Sequence, residues 1–292
     1  MNTSVHIDTA SRLPPCCIDM AGKPIETIRP LGHDELHVMT FNLRYPVDPS
    51  PHSWEERRPV VAELLTTEAP HVLGSQEGFY RQVRDVAAIL TGDYEWIGMG
   101  RHGGSRDEFL AVFFDTRRVE PLEFDHFWLS DTPDVIGSRS WNSGCVRMAT
   151  WVRFLDRKQG KEFVVVNTHL DDASEQARQR GAAQLSVTVS DLRKDQPVVV
   201  TGDFNAPAPD SRPHAILVDE GGLVDTWEAA EERGEEVGSA HDYGPLVQGG
   251  DRIDWILTTP DIVTRAVVLN TIRRDGRYPS DHLPVQAALK LP

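Results

Sequence analysis

Short apolar runs recur along this chain, and each closes on polar residues that core packing does not call for. His37 to Leu43 alternates as a strand and carries Asn42 near its end. His71 to Gln76 runs into Glu77, Phe163 to Asn167 into Thr168-His169-Leu170-Asp171-Asp172, and Val198-Val199-Val200-Thr201 into Gly202-Asp203-Phe204-Asn205. Arg252 to Leu257 alternates around Asp254, and Val263 to Leu269 and Leu283 to Leu291 flank Ser280-Asp281-His282. Tyr94 to Gly100, Leu110 to Phe114 and Arg147 to Phe154 read as further strands. Between them lie helical patterns. Ser53 and Glu56 have capping-box spacing before a Val60, Val61, Leu64, Leu65 stripe, although Pro59 allows the helix to start there instead. Phe79 to Leu90 is amphipathic, Ser174 caps a helix with Ala177, Gly181, Leu185 and Thr188 on one face, and Pro213 to Val218 reads as a short helix.

Strands separated by helices, yet with several adjacent strand pairs, predict a mixed α/β protein with more than one sheet rather than an alternating barrel. Within Gly202-Asp203-Phe204-Asn205, Asp203 and Asn205 fall two apart on one side of an extended chain, an anion beside a neutral donor and acceptor. Gly, Asp and Asn are also turn residues, so this stretch alone serves either reading. The turn explanation has to be invoked anew at Asn42, Glu77, His169 and Asp281-His282, and it weakens each time. Glu228 to Gly250, Gly-rich and acidic, has the length of a lid or substrate loop.

The chain has 292 residues and a formal net charge of -15. An acidic chain lacks the counterion-release affinity that drives non-specific nucleic-acid tracking, and its carboxylates suit a divalent metal. Cys16, Cys17 and Cys145 are too few and too poorly spaced for a disulfide framework or a zinc site. Residues 1–34 mix Pro, Cys, Asp and Gly without a period, an irregular leader before a domain at 35–292. Met1 to Met20 holds no continuous apolar segment, so a soluble, cytoplasmic protein without a membrane span is expected.

Taken in order, Thr40-Phe41-Asn42-Leu43-Arg44, Gln76-Glu77, Asn167-Thr168-His169-Leu170, Gly202-Asp203-Phe204-Asn205, Arg252-Ile253-Asp254-Trp255 and Ser280-Asp281-His282 resemble the motifs of the endonuclease/exonuclease/phosphatase superfamily. The resemblance covers roughly residues 36 to 292. It implies a four-layer α/β sandwich of two mixed β-sheets flanked by helices, with the site at one end where the sheets meet. Carried over residue by residue, it implies that Glu77 is the principal ligand of Mg2+ or Mn2+, with Asn42 and Asp281 beside the metal. Asp203 and His282 are the two candidates to activate the attacking water, and Asp254 would hold the His282 imidazole. Asn205 and His169 would bind phosphoryl oxygens, His169 also serving the leaving group. Arg106 and Arg147 are the candidate substrate-binding cations.

Where similar proteins most often continue Asn-Thr-His-Leu-Asp with histidine, this chain has Asp172. Phe127-Trp128-Leu129-Ser130 and Arg147 resemble a bacterial subgroup of the superfamily. The expected function is metal-dependent hydrolysis of a phosphodiester or phosphomonoester, on a small or accessible substrate. A nuclease or deadenylase acting on single-stranded ends is the alternative within the enzyme class; a catalytically silent binding module is the alternative outside it.

Overall fold

The structure is a computed structural model that describes residues 27–292. One sheet contains, in spatial order, Glu232–Arg233 (β10), Val263–Leu269 (β12), Val285–Lys290 (β13), Glu35–Asn42 (β1), Val72–Phe79 (β2), Glu108–Asp115 (β4) and Tyr94–Gly100 (β3). The other contains Val119–Trp128 (β5), Met148–Asp156 (β6), Lys161–His169 (β7), Val198–Ala208 (β8), Arg252–Thr258 (β11) and Val224–Asp225 (β9). Most neighbours are antiparallel, but β1 with β2, β7 with β8 and the short β10 with β12 are parallel, so both sheets are mixed. The β1–β2 and β7–β8 pairs point their C-terminal ends at the same rim, and these ends carry Asn42, Glu77, His169 and Asp203.

Strand alternation separates the layers. Leu36 and Val38 of β1 and Val199 of β8 join one buried cluster between the sheets, with Val72, Val165, Ile256 and Leu289. The residues in between face outward: Met39 and Phe41 pack with Leu64 and Val83, which belong to helices Trp54–Glu68 (α1) and Tyr80–Leu90 (α2). Val198 and Val200 pack with Leu185 of Glu175–Leu192 (α3). Each such side chain removed from water stabilises the fold by roughly 1.5–3 kcal/mol. The result is helix, sheet, sheet, helix, as expected.

The intersheet layer turns polar toward the rim. Asn167 of β7 accepts from Gln76 Nε2 at 2.7 Å and from Thr201 Oγ1 at 3.2 Å, and donates to the carbonyls of Ser75 and Ala111. A Cβ on Gly74 would fall 2.3 Å from Thr201 Oγ1 and 2.7 Å from Asn167 Oδ1. The sheets approach too closely there for any other residue.

Several expectations shift. The first helix starts from its Ser53 cap with Glu56 reaching back to the Ser53 amide, and Pro59 lies inside it, so the capping box outweighs the one bond that proline removes. Strand β5 is an edge strand with exposed charged residues in its middle, which hides it from apolar patterning. Residues 1–26 of the expected leader lie outside the described residues. Its last part is docked: Ile28 is buried against Ala266, Val268 and Ala288. No helix among the described residues is long and apolar enough to cross a membrane.

Candidate active site

A cleft of about 380 Å³ opens at the rim where the parallel strands end, lined by residues that include Glu77, His169, Asp203, Asn205 and His282. Each reaches it through a local backbone device. Glu77 has φ 61° at a bulge where the β2–β4 register slips between Ser75 and Gly78, which turns its side chain off the pleat three residues before α2. Asn205 has φ 48°, and its amide is held by Asp203 Oδ1 at 2.9 Å, so β8 kinks just past the aspartate. His282 follows Ser280-Asp281 in the loop before β13 and bridges to Ala240.

Asp203 is almost fully buried, and its carboxyl is pushed up to about 7 by burial and by the neighbouring Asp254, against the pull of His282. His282 behaves oppositely. Burial disfavours its charge, but Asp254, Asp203 and Asp281 outweigh that and hold its pKa well above the usual imidazole range. Its Nδ1 donates to Asp254 Oδ2 at 2.9 Å and lies 3.8 Å from Asp203 Oδ2. Nε2–H is the ring donor left for a ligand. The same Asp254 oxygen accepts from Ser239 Oγ at 2.7 Å.

His169 is held neutral, its pKa well below normal through burial and the nearby Arg147 and His282 charges. Asn205 Nδ2 donates to Leu170 O at 3.0 Å, which fixes the amide and makes His169 Nε2, also at 3.0 Å, an acceptor. The proton is therefore on Nδ1.

Donor atoms of Glu77, His169 and Asp203 lie within 4.8 Å of one another. Two carboxylates there, one buried, leave surplus negative charge, and their hard oxygens fit a divalent cation; His169, its Nε2 taken by Asn205, stands beside them as a polar neighbour. The expected ligands Asn42 and Asp281 are placed differently. Asn42 Nδ2 bridges Glu77 Oε1 at 2.8 Å and Asp203 Oδ2 at 2.9 Å, while its oxygen accepts the Arg44 amide at 2.9 Å. It therefore orients the two carboxylates rather than presenting an oxygen of its own. Asp281 pairs with Arg44 Nη1 at 3.2 Å.

Arg147 lines the cleft as expected, but Arg106 does not: it is exposed at the tip of the β3–β4 hairpin, its Nε on Gly103 O. Arg101, the residue after β3 and still paired with the return strand through its amide to Glu108 O at 2.8 Å, lines the cleft instead. Arg44, Tyr45, Glu108, Cys145 and Asp172 complete the lining. Arg44 closes the Asn42 motif and Tyr45 follows it, yet neither was expected at the site. None of residues 228–250 lines the cleft, so that loop is no lid; it docks behind His282, with Leu283 N on Ser239 O at 2.7 Å and His241 N on Asp281 O at 2.9 Å.

Comparison with known proteins agrees with this arrangement. The family model described as Endonuclease/Exonuclease/phosphatase family matches residues 39–282. An endonuclease/exonuclease/phosphatase from Bacteroides vulgatus is 30% identical with a TM-score of 0.83, over 88% of this chain and 99% of that one. A mannosyl-6-phosphatase from Bacteroides thetaiotaomicron is 30% identical with a TM-score of 0.79, over 87% and 99%. Protein angel of Drosophila melanogaster is 33% identical over 129 residues, 42% of this chain and 34% of that protein, so the chain spans about a third of its length. With its motif residues gathered in one cleft and the family model matched over most of its length, the chain belongs to the endonuclease/exonuclease/phosphatase family.

Proposed function

We propose that this chain is a Mg2+- or Mn2+-dependent phosphoesterase that hydrolyses a small-molecule phosphate ester. The observation that carries the reading is the convergence of Glu77, His169, Asp203 and His282 on one cleft, with a near-neutral buried carboxyl beside a charged imidazole. Glu77 would hold the cation, with Asp203 close beside it, and when bound the ion would neutralise charge on the phosphoryl group. Asp203 takes the proton from the attacking water; a buried base whose pKa lies near 7 is matched to that task. His282, kept charged and oriented by Asp254, presents Nε2–H to a phosphoryl oxygen. Asn205 and neutral His169 add uncharged polar contacts on the same wall.

Two observations favour a small substrate over nucleic acid. The net charge is -15, and the cleft arginines Arg44, Arg101 and Arg147 are each already paired with carboxylates. The relative from Bacteroides thetaiotaomicron, a mannosyl-6-phosphatase by name, is in keeping with this. A panel of phosphomonoesters and diesters with Mg2+ or Mn2+ tests the reading: turnover abolished by chelation is expected, and inactivity across the panel would refute it.

A further inference from the structure

The segment Phe127-Trp128-Leu129-Ser130 does no chemistry, yet it organises one wall of the cleft. Trp128 is 3% exposed and its indole Nε1 donates to Arg101 O at 2.7 Å, while the next amide, Leu129 N, donates to Arg147 O at 2.8 Å. Two arginines from distant strands are thereby tied to one short stretch. The Arg101 guanidinium meets Glu108 Oε2 at 2.7 Å and Asp107 Oδ1 at 3.0 Å, and Arg147 Nη2 meets Asp172 Oδ1 at 2.8 Å. Arg147 is itself 6% exposed, and the Nε groups of both arginines are buried with no hydrogen-bond partner.

This wall suits few ligands. A second anion would meet the carboxylates of Glu108 and Asp172, and an apolar group would cover charged groups without pairing them. Hydroxyl groups fit, because each donates to a carboxylate oxygen and accepts from a guanidinium N–H at once. Neighbouring hydroxyls would engage both members of a pair.

We infer that the Arg101–Glu108 and Arg147–Asp172 pairs read hydroxyls of the leaving alcohol, so that the substrate is the phosphate ester of a sugar or other polyol and Asp172 is a specificity-determining residue. This rests on the phosphoesterase reading above and extends it to the substrate class. The Asp172 side chain is 60% exposed at the cleft, free to meet a ligand.

The test compares a hexose 6-phosphate with phenyl phosphate, both with Mg2+, on the wild-type chain and on Asp172→Asn and Asp172→His. The sugar ester should be preferred in kcat/KM by at least about tenfold, and each variant should lower that preference by roughly 10–100-fold, chiefly through KM, as loss of a hydrogen bond to a charged group implies. Thermal melting confirms that the variants are folded. A preference for phenyl phosphate, or variants whose preference equals the wild type's, would overturn the inference while leaving the phosphoesterase standing. Failure to hydrolyse either ester would overturn the inference, and the phosphoesterase reading falls with it only if phosphodiesters are inert as well.

Discussion

Replacing Ser239 by alanine is predicted to damage stability and turnover together. Ser239 is fully buried, and its one oxygen makes three hydrogen bonds: it accepts from Ile253 N at 2.8 Å and Asp254 N at 3.1 Å, and donates to Asp254 Oδ2 at 2.7 Å. The two amides sit where the β8–β11 register slips between Arg252 and Asp254, so the sheet offers them no substitute. Leaving two buried N–H groups unsatisfied costs about 1–3 kcal/mol each, and the lost bond to the carboxylate adds to it. A total on the order of 4 kcal/mol is a large share of a typical folding stability and lowers Tm by about 10 °C for a domain of this size. The carboxylate that orients His282 would lose one of its two side-chain donors, and kcat should drop by about tenfold or more. Calorimetric melting and turnover at saturating substrate read the two effects. A variant with Tm within about 1 °C of wild type and unchanged kcat would refute the assignment of Ser239 as a positioning residue, and with it the view that Asp254 is held from behind.

Other outcomes follow from the same geometry. His282→Ala should lower kcat by about 10²–10⁴ in steady state and, because Asp254 and Asp203 lose their buried counter-charge, lower the melting temperature as well while leaving the fold intact at about 25 °C by circular dichroism. Glu77→Gln should weaken Mn2+ binding followed by isothermal titration, because one of the converging carboxylates is neutralised. Acidification should destabilise the fold through His37 and His71, whose pKa values burial depresses to about 3 and about 4. His71 Nδ1 accepts from the His37 amide at 2.9 Å and must stay unprotonated there. Protons are taken up by the unfolded chain first, so this stability is full above about pH 6.5 and is lost as pH falls toward 3–4. His71 alone contributes about 2 kcal/mol of that loss by pH 5, checked by urea titrations at stepped pH on wild type and His71→Gln. Gly74→Ala should prevent stable folding, judged by soluble yield and circular dichroism, since its Cβ would enter Thr201 and Asn167.

Much of this was legible in the sequence for physical reasons. Strand alternation in β1, the β-branched run that opens β8 and the Ser53 and Ser174 caps are local signals, and they placed the main strands and helices. Asp203, Asn205, His169 and His282 were legible because apolar strands have no reason to end on them. What escaped depends on distant partners. Asn42 sits beside Glu77 as a ligand would, but only the approach of Asp203 from the other sheet shows its amide bridging two carboxylates. Arg101 and Arg106 look alike in a loop; hairpin pairing turns one inward and leaves the other in solvent. Ser239 lies in a Gly-rich acidic stretch that reads as a lid or substrate loop until its contacts with the segment around His282 are known.

Asn167, Gln76 and Thr201 lie between the sheets just below the reacting groups. An oily interior tolerates sliding as side chains are exchanged, because methyl groups have no preferred partner; a hydrogen bond has a fixed length and stops working when stretched. The distance between Glu77 on one sheet and Asp203 on the other is therefore insulated from drift in the apolar layers deeper in the molecule. Loops around the rim remain free to change the molecule being cleaved, while the spacing that cleaves it stays the same.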